Sequence, residues 1–166
     1  MGLPISQLII ATNANDIFPN YLRSGEYEPK TSRATISNAM DVGNPSNFQR
    51  IQDLYKGKLE KMREDIDSHS YSDELTRMTI QSVHDEHGYV LDPHGAVAYK
   101  ALSDYMGSNE CTGVILETAH PAKFLPVMEP ILGDIEIPEE LAILSNRKKS
   151  ADLLSTDWEL FKSYLI

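Results

Sequence analysis

The stretch ETAHPAKF, residues 117–124, sets a carboxylate, a hydroxyl and an imidazole directly behind an apolar, strand-forming run. Loops that leave the end of a buried strand in an α/β protein are common ligand sites. The Thr118 hydroxyl can donate to or accept from a heteroaromatic nitrogen. That suits a pyridine-type cofactor, whose electronics are tuned by the partner of its ring nitrogen. The plainer reading of Thr118 is a hydroxyl that satisfies strand-end backbone. His120, just before a proline, reads either as a site residue or as a structural imidazole. Lys123 is a candidate anion contact or a solvated surface lysine.

A second polar cluster is SNAMDVGNPSNF, residues 37–48. Ser37, Asn38, Asp41, Asn44, Ser46 and Asn47 offer many hydrogen-bonding groups in a short span, enough to wall a small polar substrate. Turn chemistry and helix capping account for the same residues. HDEH, residues 84–87, carries two imidazoles three positions apart, whereas a zinc pair on a helix prefers four, and no metal site is assigned. The chain contains no GxGxxG, P-loop, GxSxG or CxxC pattern, so no self-sufficient catalytic constellation stands out.

These clusters need elements to hold them. Residues 6–12, SQLIIAT, and 112–118, TGVILET, read as short buried strands. Between them lies a long Gly-, Pro-, Ser- and Asn-rich segment with little periodicity, of a kind that usually has a function; residues 34–37 are its best strand candidate. Asn44 and Pro45 suit the start of a helix, and Phe48, Ile51, Tyr55, Leu59, Met62 and Ile66 recur on one face of it. Ser72 caps a helix over 73–87 that Gly88 stops, and Asp92 with Pro93 starts another that Gly107 ends. Small residues Gly95, Ala96, Ala98 and Ala101 permit close packing of the latter. Pro121, Pro126 and Pro130 allow only a short or kinked helix after it. Two further caps announce tail helices, the last expected to pack Trp158, Phe161 and Leu165. Two strands so far apart are too few for a self-contained parallel sheet. The expected class is α/β, helix-rich, with few strands of an incomplete sheet.

Composition narrows the partners. The 166 residues suffice for one core, and 41% are hydrophobic and 24% charged. A net charge of −10 with scattered basic residues disfavours nucleic acid and anionic membrane surfaces as partners. Cys111 is the only cysteine, which fits a reducing compartment and a cytoplasmic location. No apolar run approaches the ~20 residues of a membrane span, and no signal peptide opens the chain. The MGLPIS opening matches a myristoylation pattern, but Pro4 and the apolar run behind it read as an internal loop-to-strand junction.

Taken together, ATNANDIFPNYLRSGEYEPKTSRATISNAMDVGNPSNFQRI, DPHGAVAY and TAHPAKF resemble the threonine synthase family, in its order and spacing, from about residue 3 to at least residue 133. The resemblance implies a partial fold-type II pyridoxal-phosphate enzyme domain. It implies conversion of O-phospho-L-homoserine and water to L-threonine and phosphate in the complete enzyme. It makes Thr118 the hydroxyl facing the pyridine nitrogen of pyridoxal 5'-phosphate. It also places the SNAMDVGNPSNF segment and the DPHGAVAY helix start near the cleft, which makes Ser37, Asn38, Asp41, Asn44 and His94 substrate-cleft candidates; His120 and Lys123 of ETAHPAKF join them on residue type, Lys123 matching no lysine motif of the family. The family's Schiff-base lysine and its glycine-rich phosphate loop fall upstream of Met1. Residues 1–166 are therefore expected to be a single C-terminal portion, inactive alone and partnered by the N-terminal part of the same enzyme. The alternative expectation is a non-catalytic interaction protein that keeps part of the fold.

Overall fold

The computed structural model describes residues 4–145 and 147–166. Two compact units divide the chain, Met1–Ile135 and Glu136–Ile166.

The first unit opens with β1, Leu8–Thr12, which pairs in parallel with β2, Ile66–Ser70, in the register Leu8↔Ile66 to Thr12↔Ser70. These two strands are the whole sheet among the described residues. Between them run α1 (Ile17–Ser24), a 3-10 turn at Asn38–Met40, α2 (Phe48–Tyr55) and α3 (Leu59–Asp65). The helix expected from Asn44 through Ile66 is thus two short helices and a strand. Lys56 and Gly57, at φ 51° and 68°, break it, and only glycine adopts that region without strain. α2 begins at Phe48 rather than Pro45, and Asn44 makes no cap. Residues 34–37 form no strand.

α1 was not among the elements read from the sequence. It forms because Ile17, Phe18, Tyr21 and Leu22 share one face and bury it. Phe18, Tyr21, Leu22, Phe48, Met62 and Ile66 make an aromatic-rich core beside β1, in which Phe48 stacks on Tyr27 and meets Tyr21 edge to face.

α4 (Asp73–His87) and α5 (Pro93–Met106) fall where their caps put them. The Ser72 side chain accepts from the Leu75 N–H and the Asp92 side chain from the His94 N–H. α5 lies at the centre of this unit. Val97 and Ala101 face Ile9, Ala11 and Tyr71 on the sheet side. Ala96 faces Ile80, Val83, Leu91 and Met128, the last from α6 (Leu125–Leu132). Small side chains on both faces let a helix serve two cores at once.

Residues 112–118 carry no strand assignment and no backbone–backbone hydrogen bond among the described residues. The segment nonetheless alternates with period two. Gly113 presses on Leu102 of α5, Ile115 joins the α4–α6 core and Glu117 packs on Gly95. Val114 and Leu116 point the other way, each 81% exposed.

The second unit contains α7 (Glu139–Ser145) and α8 (Trp158–Leu165). Contrary to the sequence expectation, Trp158, Phe161 and Leu165 are all exposed. No helix is long and apolar enough to cross a membrane among the described residues.

Candidate functional site

The C-terminal end of β1 delivers two asparagines, and these organise the long irregular segment. Asn13 is 1% exposed. Its Nδ2 lies 2.7 Å from Thr35 Oγ1, 2.9 Å from Asp41 Oδ1 and 3.2 Å from both the hydroxyl and the carbonyl of Ser37. Its Oδ1 accepts from the Asn15 N–H at 2.9 Å and from Asn15 Nδ2 at 2.8 Å. Asn15 in turn accepts the Arg33 N–H at 2.8 Å and donates to the Arg33 carbonyl at 2.9 Å. Asp41 accepts from the Thr35 N–H and hydroxyl at 2.9 and 2.7 Å. Buried amide side chains thus substitute for a sheet ladder in a stretch that has none.

This geometry sorts the expected residues. Ser37 is fully buried, its hydroxyl turned to Asn13. Asp41 staples the loop. Asn38 is exposed and its side chain makes no hydrogen bond among the described residues. Asn44 stands apart and accepts from the Tyr27 hydroxyl at 2.9 Å.

A relay at the α5 start ties three motif segments together. The Ala39 N–H, in the 3-10 turn, donates to His94 Nε2 at 3.1 Å. An accepting Nε2 leaves the proton on Nδ1, and Nδ1 donates to Asp92 Oδ1 at 2.6 Å. The His94 N–H donates to the same oxygen at 2.8 Å. The Asp92 N–H donates to Glu117 Oε1 at 2.8 Å, and the Tyr89 hydroxyl to Glu117 Oε2 at 2.9 Å. The Phe124 ring lies 4.9 Å from the His94 ring. Burial raises the Asp92 pKa, but hydrogen bonds from the His94 imidazole and from backbone N–H groups outweigh it and hold the carboxyl below its ordinary value. Glu117 raises the pKa of Tyr89 by accepting its proton-bearing hydroxyl.

At the other end of ETAHPAKF the groups are open. Thr118 is exposed, and its hydroxyl has no hydrogen-bond partner among the described residues. His120 Nδ1 accepts from the Ala122 N–H at 3.1 Å and so caps the 3-10 turn at Pro121–Phe124. Lys123 is exposed and forms no ion pair among the described residues. The structure therefore joins the Asn38–Met40 turn, His94 and Phe124, and joins Ser37 with Asp41, while Asn44 lies on Tyr27. Asn13, Asn15, Tyr89 and Glu117 went unassigned in the sequence reading. The signal available for the first two was a pair of asparagines directly behind a strand-forming run.

Comparison with known proteins finds relatives that match the whole chain. The family model described as threonine synthase, C-terminal, matches residues 95–165. The threonine synthase of Haemophilus influenzae is 41% identical over 100% of this chain and 39% of its own length. The crystal structure of threonine synthase from Escherichia coli superposes with a TM-score of 0.85 at 39% identity, covering 99% of this chain and 38% of that one. An X-ray structure of PLP-bound threonine synthase from Brucella melitensis gives 0.80 at 32% identity, over 99% of this chain and 41% of that one. The chain thus spans about two fifths of the length of these relatives. On these matches the chain belongs to the threonine synthase family and corresponds to its C-terminal portion.

Proposed function

We propose that residues 1–166 form one C-terminal portion of a threonine synthase catalytic domain and supply one wall of its pyridoxal 5'-phosphate cleft. The complete, cytoplasmic enzyme would convert O-phospho-L-homoserine and water to L-threonine and phosphate. The N-terminal part of the same enzyme would bring the reactive lysine and the glycine-rich phosphate loop, so this chain alone is inactive.

The observation that carries this reading is the extended segment 112–118. One of its faces packs on α5 and the other exposes Val114, Leu116 and finally the unpartnered Thr118 hydroxyl. A backbone with unused N–H and C=O groups beside open apolar side chains is the edge of a sheet that other residues complete.

The residues fit the cofactor. A free, accessible hydroxyl at a strand end is a suitable partner for a pyridine nitrogen, and as a neutral group it does not force that nitrogen to stay protonated. When bound, pyridoxal phosphate supplies an electron sink for substrate carbanions. In this reading Thr118 sets the ring nitrogen, and the turn carrying Asn38 lines the cleft, held by His94. Ser37 and Asp41 keep that turn in place through Asn13. Asn44, His120 and Lys123 remain candidates for contact with substrate.

The test mixes this chain with the N-terminal part of a matching threonine synthase. Expected are a stoichiometric complex, uptake of pyridoxal phosphate seen in the visible spectrum, and phosphate release from O-phospho-L-homoserine. A folded complex that takes up no cofactor and releases no phosphate refutes the proposal.

A further inference from the structure

Beside the Asn13–Asn15 cluster lies a cavity of about 380 Å³, lined in part by Asn15, Asp16, Lys30, Ser32, Arg33 and Gly43. We propose that it is a phosphoryl-anion site, with Arg33 as its principal ligand. The inference rests on the functional reading above only for the source of the anion, the phosphate group of the substrate or the phosphate released from it.

Charge is the first argument. The chain carries −10 overall, yet this lining holds two cations against the single carboxylate of Asp16. Lys30 Nζ lies 3.6 Å from Asp16 Oδ1, and both side chains are part-exposed. That pair is loose and leaves lysine hydrogens available. The Arg33 guanidinium has no hydrogen-bond or ion-pair partner among the described residues.

Pre-organisation is the second. Arg33 has a free head on a fixed backbone, because both its N–H and its carbonyl are held by Asn15, which is 8% exposed. The opposite rim is equally fixed. The Lys30 N–H donates to the Gly43 carbonyl at 2.8 Å, and the Gly43 N–H donates to the Ser32 hydroxyl at 2.9 Å. A Cβ on Gly43 would sit 1.9 Å from the Lys30 carbonyl oxygen, so the two loops touch backbone to backbone. Loops fixed in this way, with an exposed, unpaired arginine and a second cation among the residues that line the cavity, suit capture of a tetrahedral oxyanion.

The experiment titrates inorganic phosphate into the 15N-labelled 166-residue chain and follows the amide resonances of residues 30–33. Saturable shifts are expected, with a dissociation constant on the order of millimolar, as a few part-exposed charge-assisted bonds give. Arg33→Gln should weaken binding about tenfold, the loss of one such bond, and Lys30→Gln by less. Asp16→Asn should tighten it by removing the one opposing charge. Absence of saturable shifts, an affinity within twofold of the parent in both cation variants, or weaker binding in Asp16→Asn overturns the proposal. Pyridoxal phosphate and pyridoxal serve as further probes. If pyridoxal phosphate competes at these residues more tightly than inorganic phosphate and pyridoxal does not, the anion source is the cofactor and the substrate assignment falls. The titration needs neither the N-terminal part nor turnover, so its failure is separable from failure of the reconstitution above.

Discussion

Replacement of Asp92 by alanine tests the relay that ties the SNAMD turn to α5. Asp92 is fully buried, and its Oδ1 accepts both the His94 N–H at 2.8 Å and His94 Nδ1 at 2.6 Å. Loss of a helix cap costs about 1 kcal/mol. Loss of a hydrogen bond to a charged group costs roughly 1.5–3 kcal/mol. The two effects share one oxygen and do not add fully. The relieved burial of a carboxylate, one of whose oxygens is unpartnered among the described residues, offsets part of the loss. The expected net destabilisation is about 2–3 kcal/mol. Asp92→Asn keeps the cap and the acceptor, so it should cost about half as much, through the charge and a buried unpaired amide.

The pH dependence of that cost is an independent check. The folded-state pKa of Asp92 lies below its ordinary 3.8. Its contribution is therefore fully present above pH 3.8 and fades as the pH falls through the lower folded value. Urea unfolding read by far-UV circular dichroism measures the difference; Trp158 fluorescence does not serve, since that residue belongs to the second unit. Hydrogen exchange at the Ala39 amide should quicken in the alanine variant, because a released His94 no longer holds its acceptor in place. A cost under about 0.5 kcal/mol, the usual range for an inert surface site, or an unchanged Ala39 exchange rate, would refute the reasoning.

Three further outcomes are expected. Gly43→Ala should destabilise by about 2 kcal/mol or more in urea unfolding, since the new methyl overlaps the Lys30 carbonyl and the obstacle is backbone. Tyr71→Phe removes a 2.9 Å hydrogen bond to Asp104 and should cost about 1 kcal/mol at neutral pH; burial and Asp104 raise the phenol pKa above 10.0, so the cost persists to about that pH and shrinks above it as the unfolded phenol ionises first. Leu116→Lys, on the open face, should leave the stability of the isolated chain within about 0.5 kcal/mol, yet prevent association with the N-terminal part in size-exclusion chromatography.

The sequence disclosed elements whose signals are local and hid those that depend on distant partners. α4 and α5 were legible to the residue because Ser72, Gly88 and Asp92 mark their ends within a turn of the helix. β2 was not. IDSHS has one apolar residue, and Ile66 continues the helical spacing of Leu59 and Met62, so only pairing with β1 makes it a strand. α1 was masked by Pro19, which is harmless in a first turn where no intrahelical donor is lost. The site divides the same way. Its motif residues were visible as polar clusters, whereas Asn13 contacts Ser37 across 24 positions and Glu117 contacts Asp92 across 25. No local pattern announces such bonds, because the energy that selects them is the penalty for leaving a buried polar group unpaired.

Residues 112–118 show where the two kinds of information part. Sequence pattern predicts a strand there, and the side chains behave as one, with Ile115 inward and Val114 and Leu116 outward. Hydrogen bonding does not, since no described backbone group answers it. Side-chain alternation needs only one packed face, which α5 provides through Leu102 and Gly95. A ladder needs a second chain segment at about 4.8 Å. The alternation is thus written in this chain, whereas none of its described elements supplies a pairing partner. Thr118, last on the open face, is placed by the packed face alone, so its position needs no ladder.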